Sequence, residues 1–136
     1  MRTTNNSNRG ILRIAMDEDY THQVIFEPID NTVWFHKVEL PSLFEVTIQV
    51  INSSLDAILK SRIVDVEKTC KHDLTVSGSR VGYDVREINL EVIIAMAFRI
   101  DSRPAKTLRE WVVKRCLHPG IDVLPALSDS TDFSMN

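Results

Sequence analysis

The stretch IQVINSSLDAILKS, Ile48 to Ser61, sets a polar edge against an apolar one at helical spacing. Gln49, Asn52, Ser53, Asp56 and Lys60 share the polar side, and Val50, Ile51, Leu55, Ile58 and Leu59 share the side expected to be core. The polar residues have the chemistry to read bases. Gln and Asn can bond the adenine edge in a major groove, and Ser can serve any base. Asp56 accepts only from cytosine and repels phosphate, which offsets Lys60. A plain solvated helix face has the same pattern, so the two readings stand side by side.

A second group is the cation-rich stretch after the apolar run LEVIIAMAF. Arg99, Arg103, Lys106, Arg109, Lys114 and Arg115 face only Asp101 and Glu110. Phosphate contacts dominate protein–DNA affinity, so such a local excess can matter. On a helical wheel the charges scatter. Lys106 and Arg109 are close, Lys114 lies elsewhere, and Arg115 falls beside Leu108 and Trp111 on the apolar side. There its stem lies along the core or its guanidinium meets an acid. Arg80, in SGSRVG, is a third candidate: an arginine at a hairpin tip reaches a minor groove, or is simply exposed as turn residues are.

Other chemistries find less. Cys70-Lys71-His72 and Cys116-Leu117-His118 are nominally a zinc ligand set, but the spacing within each pair is unusual. Cys116 also falls on a helix side that needs an apolar residue, and no metal or other cofactor is expected. His22 and His36 have no convincing nucleophile nearby, and there is no Gly-rich phosphate loop, nucleophile elbow or HExxH. The chain is not expected to be an enzyme. Trp34 and Trp111 stand at apolar-periodic positions, which favours core packing over interface anchoring.

These residues need elements to hold them. Ile11, Leu12 and Ile14 suggest a short strand, followed by an acidic turn at MDEDY. Val24 and Phe26, then Val33 and Phe35, alternate about Asp30-Asn31 and predict a first β-hairpin. VELPSLFEV, Val38 to Val46, is a short helical candidate interrupted by Pro41, which removes a backbone donor unless the helix begins near it, and Thr47 can cap the helix from Ile48. The pattern from Ile63 to Leu74 is mixed and receives no assignment. TVSGSRVGYDV predicts a second hairpin, with Val81, Tyr83 and Val85 alternating and Gly78 in the turn. Asn89 caps a helix from Leu90 to about Phe98, apolar nearly all round and therefore in the core. Ser102 and Pro104 start the last helix, which His118-Pro119-Gly120 stops near Leu117.

The totals bound the rest. A chain of 136 residues suits one domain, with an ordered core over about residues 10–118, a frayed polar start and a loosely attached tail over 119–136. The net charge of −3 draws the molecule to neither DNA nor an anionic membrane as a whole, so any polyanion contact must be local. Two cysteines are too few for a disulfide framework and point to a reduced, cytoplasmic setting. MRTTNNSNRGILRIAM lacks the apolar run of a signal peptide, and no segment approaches the roughly 20 apolar residues of a membrane span, so no membrane partner is expected.

Three stretches taken together resemble a known family. Trp34 in TVWF followed by LFEV, then Ile88-Asn89-Leu90-Glu91 with Phe98-Arg99-Ile100-Asp101-Ser102, then Leu108-Arg109-Glu110-Trp111 look like the RhuM-like virulence-protein family. The N-terminal region of that family is similar to phage antirepressor domains of the Bro-N kind. The likeness covers roughly Thr32 to Leu117. It implies an α+β domain of the winged helix-turn-helix kind, with two hairpins and about four helices. It also implies DNA binding by the second helix, and the chain is expected to be an antirepressor-like regulator and a dimer. Gln49, Asn52 and Ser53 would then contact bases, and Lys60, Arg80, Arg99, Arg103, Lys106 and Arg109 phosphates. The chain departs from the pattern at Pro41 inside the first helix, at Glu45 where the family turn has glycine, and at Ser53-Ser54 where it has Arg-His. Glu45, Ser53-Ser54 and the acidic pI favour the alternative, a degenerate helix pair that serves protein–protein contact or homodimerisation.

Overall fold

A computed structural model describes residues 9–119 apart from 17 and 20, with only the backbone of residue 83. The expectations of a frayed start and a loose tail concern residues 1–8 and 120–136, outside the described residues. Among the described residues, five helices and two antiparallel sheets alternate along the chain. Strands β1 (Ile11–Met16) and β2 (His22–Glu27) pair with one another. Strand β3 (Trp34–His36) leads through a 3-10 turn, Lys37–Glu39, into helices α1 (Leu40–Phe44) and α2 (Ile48–Ser61). Helix α3 (Val66–Thr69) precedes β4 (Cys70–Ser77) and β5 (Arg80–Asn89), and helices α4 (Leu90–Ala97) and α5 (Arg103–Leu117) follow. The second sheet has the order β3-β5-β4.

One expectation is corrected. The strands on either side of Asp30-Asn31 do not form a hairpin with one another. The turn is present, with φ of 53° and 66° and a single bridge from Ile29 to Thr32. Beyond it the chain diverges: β2 takes β1 as partner, from Ile11 opposite Glu27 to Met16 opposite His22, and β3 goes to the end of β5. Alternation says which side chains share a face but not which strand lies alongside, and β1 is an equally good strand upstream. The close approach of the start of β1 to this turn depends on Gly10. At φ 74° a Cβ there would lie 2.9 Å from Val33 Cγ1 and 3.0 Å from the Glu27 carbonyl oxygen.

The helix boundaries follow local chemistry. Thr47, Asn89 and Ser102 each accept a hydrogen bond from a first-turn amide, of Val50, of Glu91 and of Ala105 respectively. Pro41 occupies the first turn of α1, where no helical donor is lost. Glu45 ends that helix at φ 57° and ψ 48°, so the left-handed conformer is kept without glycine, at a cost of about 1–2 kcal/mol. The unassigned stretch after α2 contains α3, capped by the Asp65 carboxylate on the Glu67 amide.

The core gathers Leu40 and Phe44 of α1, Ile51, Leu55 and Ile58 of α2, Val92, Ile93 and Met96 of α4, and Ala105 and Leu108 of α5. Leu12 and Ile88 close it from the strands, and Val33 from just before β3. The apolar edge of α2 is narrower than the wheel suggests. Val50 is 40% exposed, while Ser54 is turned inward and its Oγ has no hydrogen-bond partner. Among the described residues no helix is long and apolar enough to cross a membrane. A buried hydroxyl without a partner costs about 1–3 kcal/mol. Ser54→Ala is therefore expected to raise unfolding stability by about 1 kcal/mol in urea titration, and a loss of stability would show that Ser54 is satisfied.

Candidate nucleic-acid interface

Gln49, Asn52, Ser53, Asp56 and Lys60 all face solvent, on the side of α2 opposite Ile51, Leu55 and Ile58. The edge is polar and weakly charged. Lys60 Nζ lies 4.0 Å from Asp56 Oδ2 with both side chains largely exposed, so the pair neutralises locally and adds little stability. Helix α2 packs on α1 and α4, whereas α5 packs on α1, α4, β1 and β2. Helices α2 and α5 are thus joined mainly through α1 and α4, and their polar faces are not neighbours by packing.

The corner between α4 and α5 holds Arg99, Arg103 and Lys106, all exposed. Arg103 and Lys106 border a shallow depression of about 370 Å³ with His22 and Glu110. Arg109, expected among the phosphate contacts, is half-buried and already engaged. Its Nη1 donates to the carbonyl oxygens of Ala97, at 2.6 Å, and Ile100, at 2.9 Å. Those carbonyls sit at and beyond the C-terminal end of α4, where unpaired acceptors and the helix dipole both favour a cation. This gives Arg109 a structural role that sequence spacing did not reveal, because its partners depend on the angle between two helices.

A wider cleft of about 440 Å³ separates β2 from α5. Phe26 meets Trp111 edge-on there, with centroids 5.2 Å apart and planes at 71°. The Arg115 guanidinium lies 4.8 Å from the Trp111 centroid and 5.6 Å from that of Phe26. Arg115 thus sits on rings as well as beside apolar stems. Both tryptophans are half-buried, and Trp34 carries Lys71 Nζ 4.4 Å from its ring centroid.

Strands β4 and β5 project as a hairpin on which residues 71–80 are all exposed. Gly78, at φ 62°, alone takes positive φ in the two-residue turn Gly78-Ser79, as a type II′ turn requires. Arg80 follows the turn, opposite Ser77, and is exposed. At the base of the sheet, Glu87 is buried between cations. Arg86 Nε lies 3.7 Å and Arg9 Nε 3.9 Å from its carboxylate, and Arg9 also pairs with Glu39. The structure therefore distributes the predicted contacts over three places: the α2 edge, the hairpin tip and the α4–α5 corner.

Among the described residues no group of three or more His, Cys, Asp or Glu could hold a metal ion. Cys70 is buried at the start of β4, and Cys116 is exposed on α5, not on its apolar side. Burial pushes the Cys70 thiol up, partly opposed by the hydrogen-bonding contact with the Thr69 hydroxyl. Cys116 should react with a thiol reagent in the native protein, while Cys70 reacts only on unfolding; two equally fast thiols would contradict this burial. Arg109→Met, which keeps the stem and removes both carbonyl contacts, is expected to cost about 1.5–3 kcal/mol in urea unfolding. Arg103→Ala and Lys106→Ala should stay within about 0.5 kcal/mol of the parent.

No family model matches the chain, and no curated protein or solved structure does.

Proposed function

We propose that this chain is a non-enzymatic DNA-binding module of the winged helix-turn-helix kind, an antirepressor-like regulator related to RhuM-like proteins. In this reading α1 and α2 form the helix pair and the β4–β5 hairpin is the wing. The outer edge of α2 enters a major groove and brings Gln49, Asn52 and Ser53 to base edges. Lys60, Arg99, Arg103 and Lys106 supply backbone contacts, and Arg80 at the wing tip reaches an adjacent groove. Arg109 is left out, since its guanidinium holds the end of α4.

The observation that carries this reading is the division of α2. Its polar edge is exposed, with no covering element among the described residues, while Ile51 and Ile58 on the opposite edge are fully buried. A helix held so firmly by one side can present the other as a rigid reading surface. The pairing of Asp56 with Lys60 and the net charge of −3 limit the electrostatic part of affinity, so binding should be modest and strongly salt-dependent. The same two facts favour the alternative of a helix pair used for protein contact.

Fluorescence anisotropy with mixed-sequence duplexes across a salt series tests the proposal. Affinity should fall linearly in log–log form, with a slope of about 0.9 per phosphate neutralised. Arg103→Ala should lower that slope by about one phosphate, and Lys60→Ala with Arg80→Ala should weaken binding at all sequences. Once a preferred site is selected, Asn52→Ala should cost about ten-fold at that site and little elsewhere. Negligible binding at low salt, where counterion release is strongest, ends this reading.

A further inference from the structure

The β4–β5 hairpin carries a feature that DNA contact does not use. Leu74, Val76 and Val81 are 60%, 65% and 61% exposed, and all three lie on one face. Val76 stands directly opposite Val81 across the ladder, and Leu74 is the next residue on that face. Strand β4 is also the outer strand in the order β3-β5-β4, so among the described residues its far side pairs with nothing. Ser77 and Arg80 close a two-residue turn and therefore form a hydrogen-bonded pair, as do Thr75 with Gly82 and Asp73 with Asp84. By the same alternation Leu74 and Val76 turn their N–H and C=O groups away from β5. The single irregularity of the ladder, between Lys71 and His72, lies at its base and leaves the outer half straight. An unpaired edge with Leu74 and Val76 exposed on one face is a template for another strand.

We propose that the strand is β4 of a second copy of this chain, added antiparallel about a twofold axis at Thr75, so that the two hairpins form one four-stranded sheet. Self-complementarity supports this occupant. About that axis Leu74 faces Val76 of the partner subunit, both on the apolar face, and their outward backbone groups bond each other. Thr75 faces its own copy, a favourable cross-strand pair, and Asp73 faces Ser77 of the partner subunit. The nearest charges across the junction, Asp73 and Arg80 of the partner subunit, are opposite in sign. An axis at Asp73 would instead set two carboxylates against each other. Shifting the sum of paired residue numbers to an odd value would bring each apolar side chain opposite a polar one. The inference does not rest on the nucleic-acid reading: it stands on the open backbone edge and apolar face of β4, and Arg80 is the one residue that the two share.

Sedimentation equilibrium of the full chain tests it, with a concentration-dependent dimer expected. Val76→Pro removes an outward N–H without taking a donor from the β4–β5 ladder, and should weaken association at least ten-fold. Leu74→Lys keeps the strand chemistry intact and should do the same, with far-ultraviolet circular dichroism of both variants matching the parent. In a Cys116→Ser background, Thr75→Cys should form an intermolecular disulfide on mild oxidation. Antiparallel residues that do not share hydrogen bonds lie about 4.5 Å apart at Cα, within disulfide reach. A monomer at every concentration overturns the proposal. So does a dimer that both edge variants leave intact, or one that Thr75→Cys fails to cross-link.

Discussion

Helix α4 has one charged residue among eight, Glu91, which lies in its first turn and in water. The rest of the helix has to be kept from solvent, and most of the architecture answers that need. Helices α2, α3 and α5 and strand β5 all pack against it. Val92, Ile93, Met96 and Ala97 are fully buried. Each such side chain contributes on the order of 1.5–3 kcal/mol for the larger residues, so this helix is a large source of cohesion. Burying α4 also buries its carbonyl-rich end, and Arg109 from α5 meets two of those acceptors. A guanidinium reaching back across the bend thus joins polar satisfaction to apolar packing at one corner.

What remains for recognition is what that core leaves outside. Helix α2 spends one edge on α1 and α4 and keeps the other free. The hairpin from Cys70 to Asn89 is anchored at its base, where Cys70 and Trp34 flank the end of β5, and runs outward with little covering it. An edge rich in Gln, Asn and Ser and a β-ribbon with an apolar face demand different partners. The first can satisfy hydrogen bonds against a polar, patterned surface. The second gains most by removing apolar area and backbone groups from water. One chain can use both surfaces, since they lie on separate elements.

The elements themselves were largely legible because their signals are local. Thr47, Asn89 and Ser102 cap helices through side-chain bonds to amides two or three residues on, so each start can be read from a few neighbouring letters. Gly78 marks the hairpin turn for the same reason. The turn at Asp30-Asn31 was equally legible, but its strands separate after one bridge because β1 competes for β2. Helix α3 escaped notice: four residues carry too little periodicity to declare themselves.

The outer face of α2 was visible as a pattern, since helical geometry alone sets Gln49, Asn52 and Ser53 on one side. Ser54 was not, because only the packed neighbours decide that its hydroxyl meets no partner. The alternation of Val81 with its neighbours likewise said which side chains share a face and nothing about whether another layer lies over them. By itself the sequence determined the longer helices and the turns, consequences of chemistry within a few residues. Tertiary structure decided which strands pair, that Arg109 turns inward to the end of α4, and that Leu74, Val76 and Val81 of the hairpin are exposed. Those outcomes depend on distances between residues far apart in the chain, which no local spacing encodes.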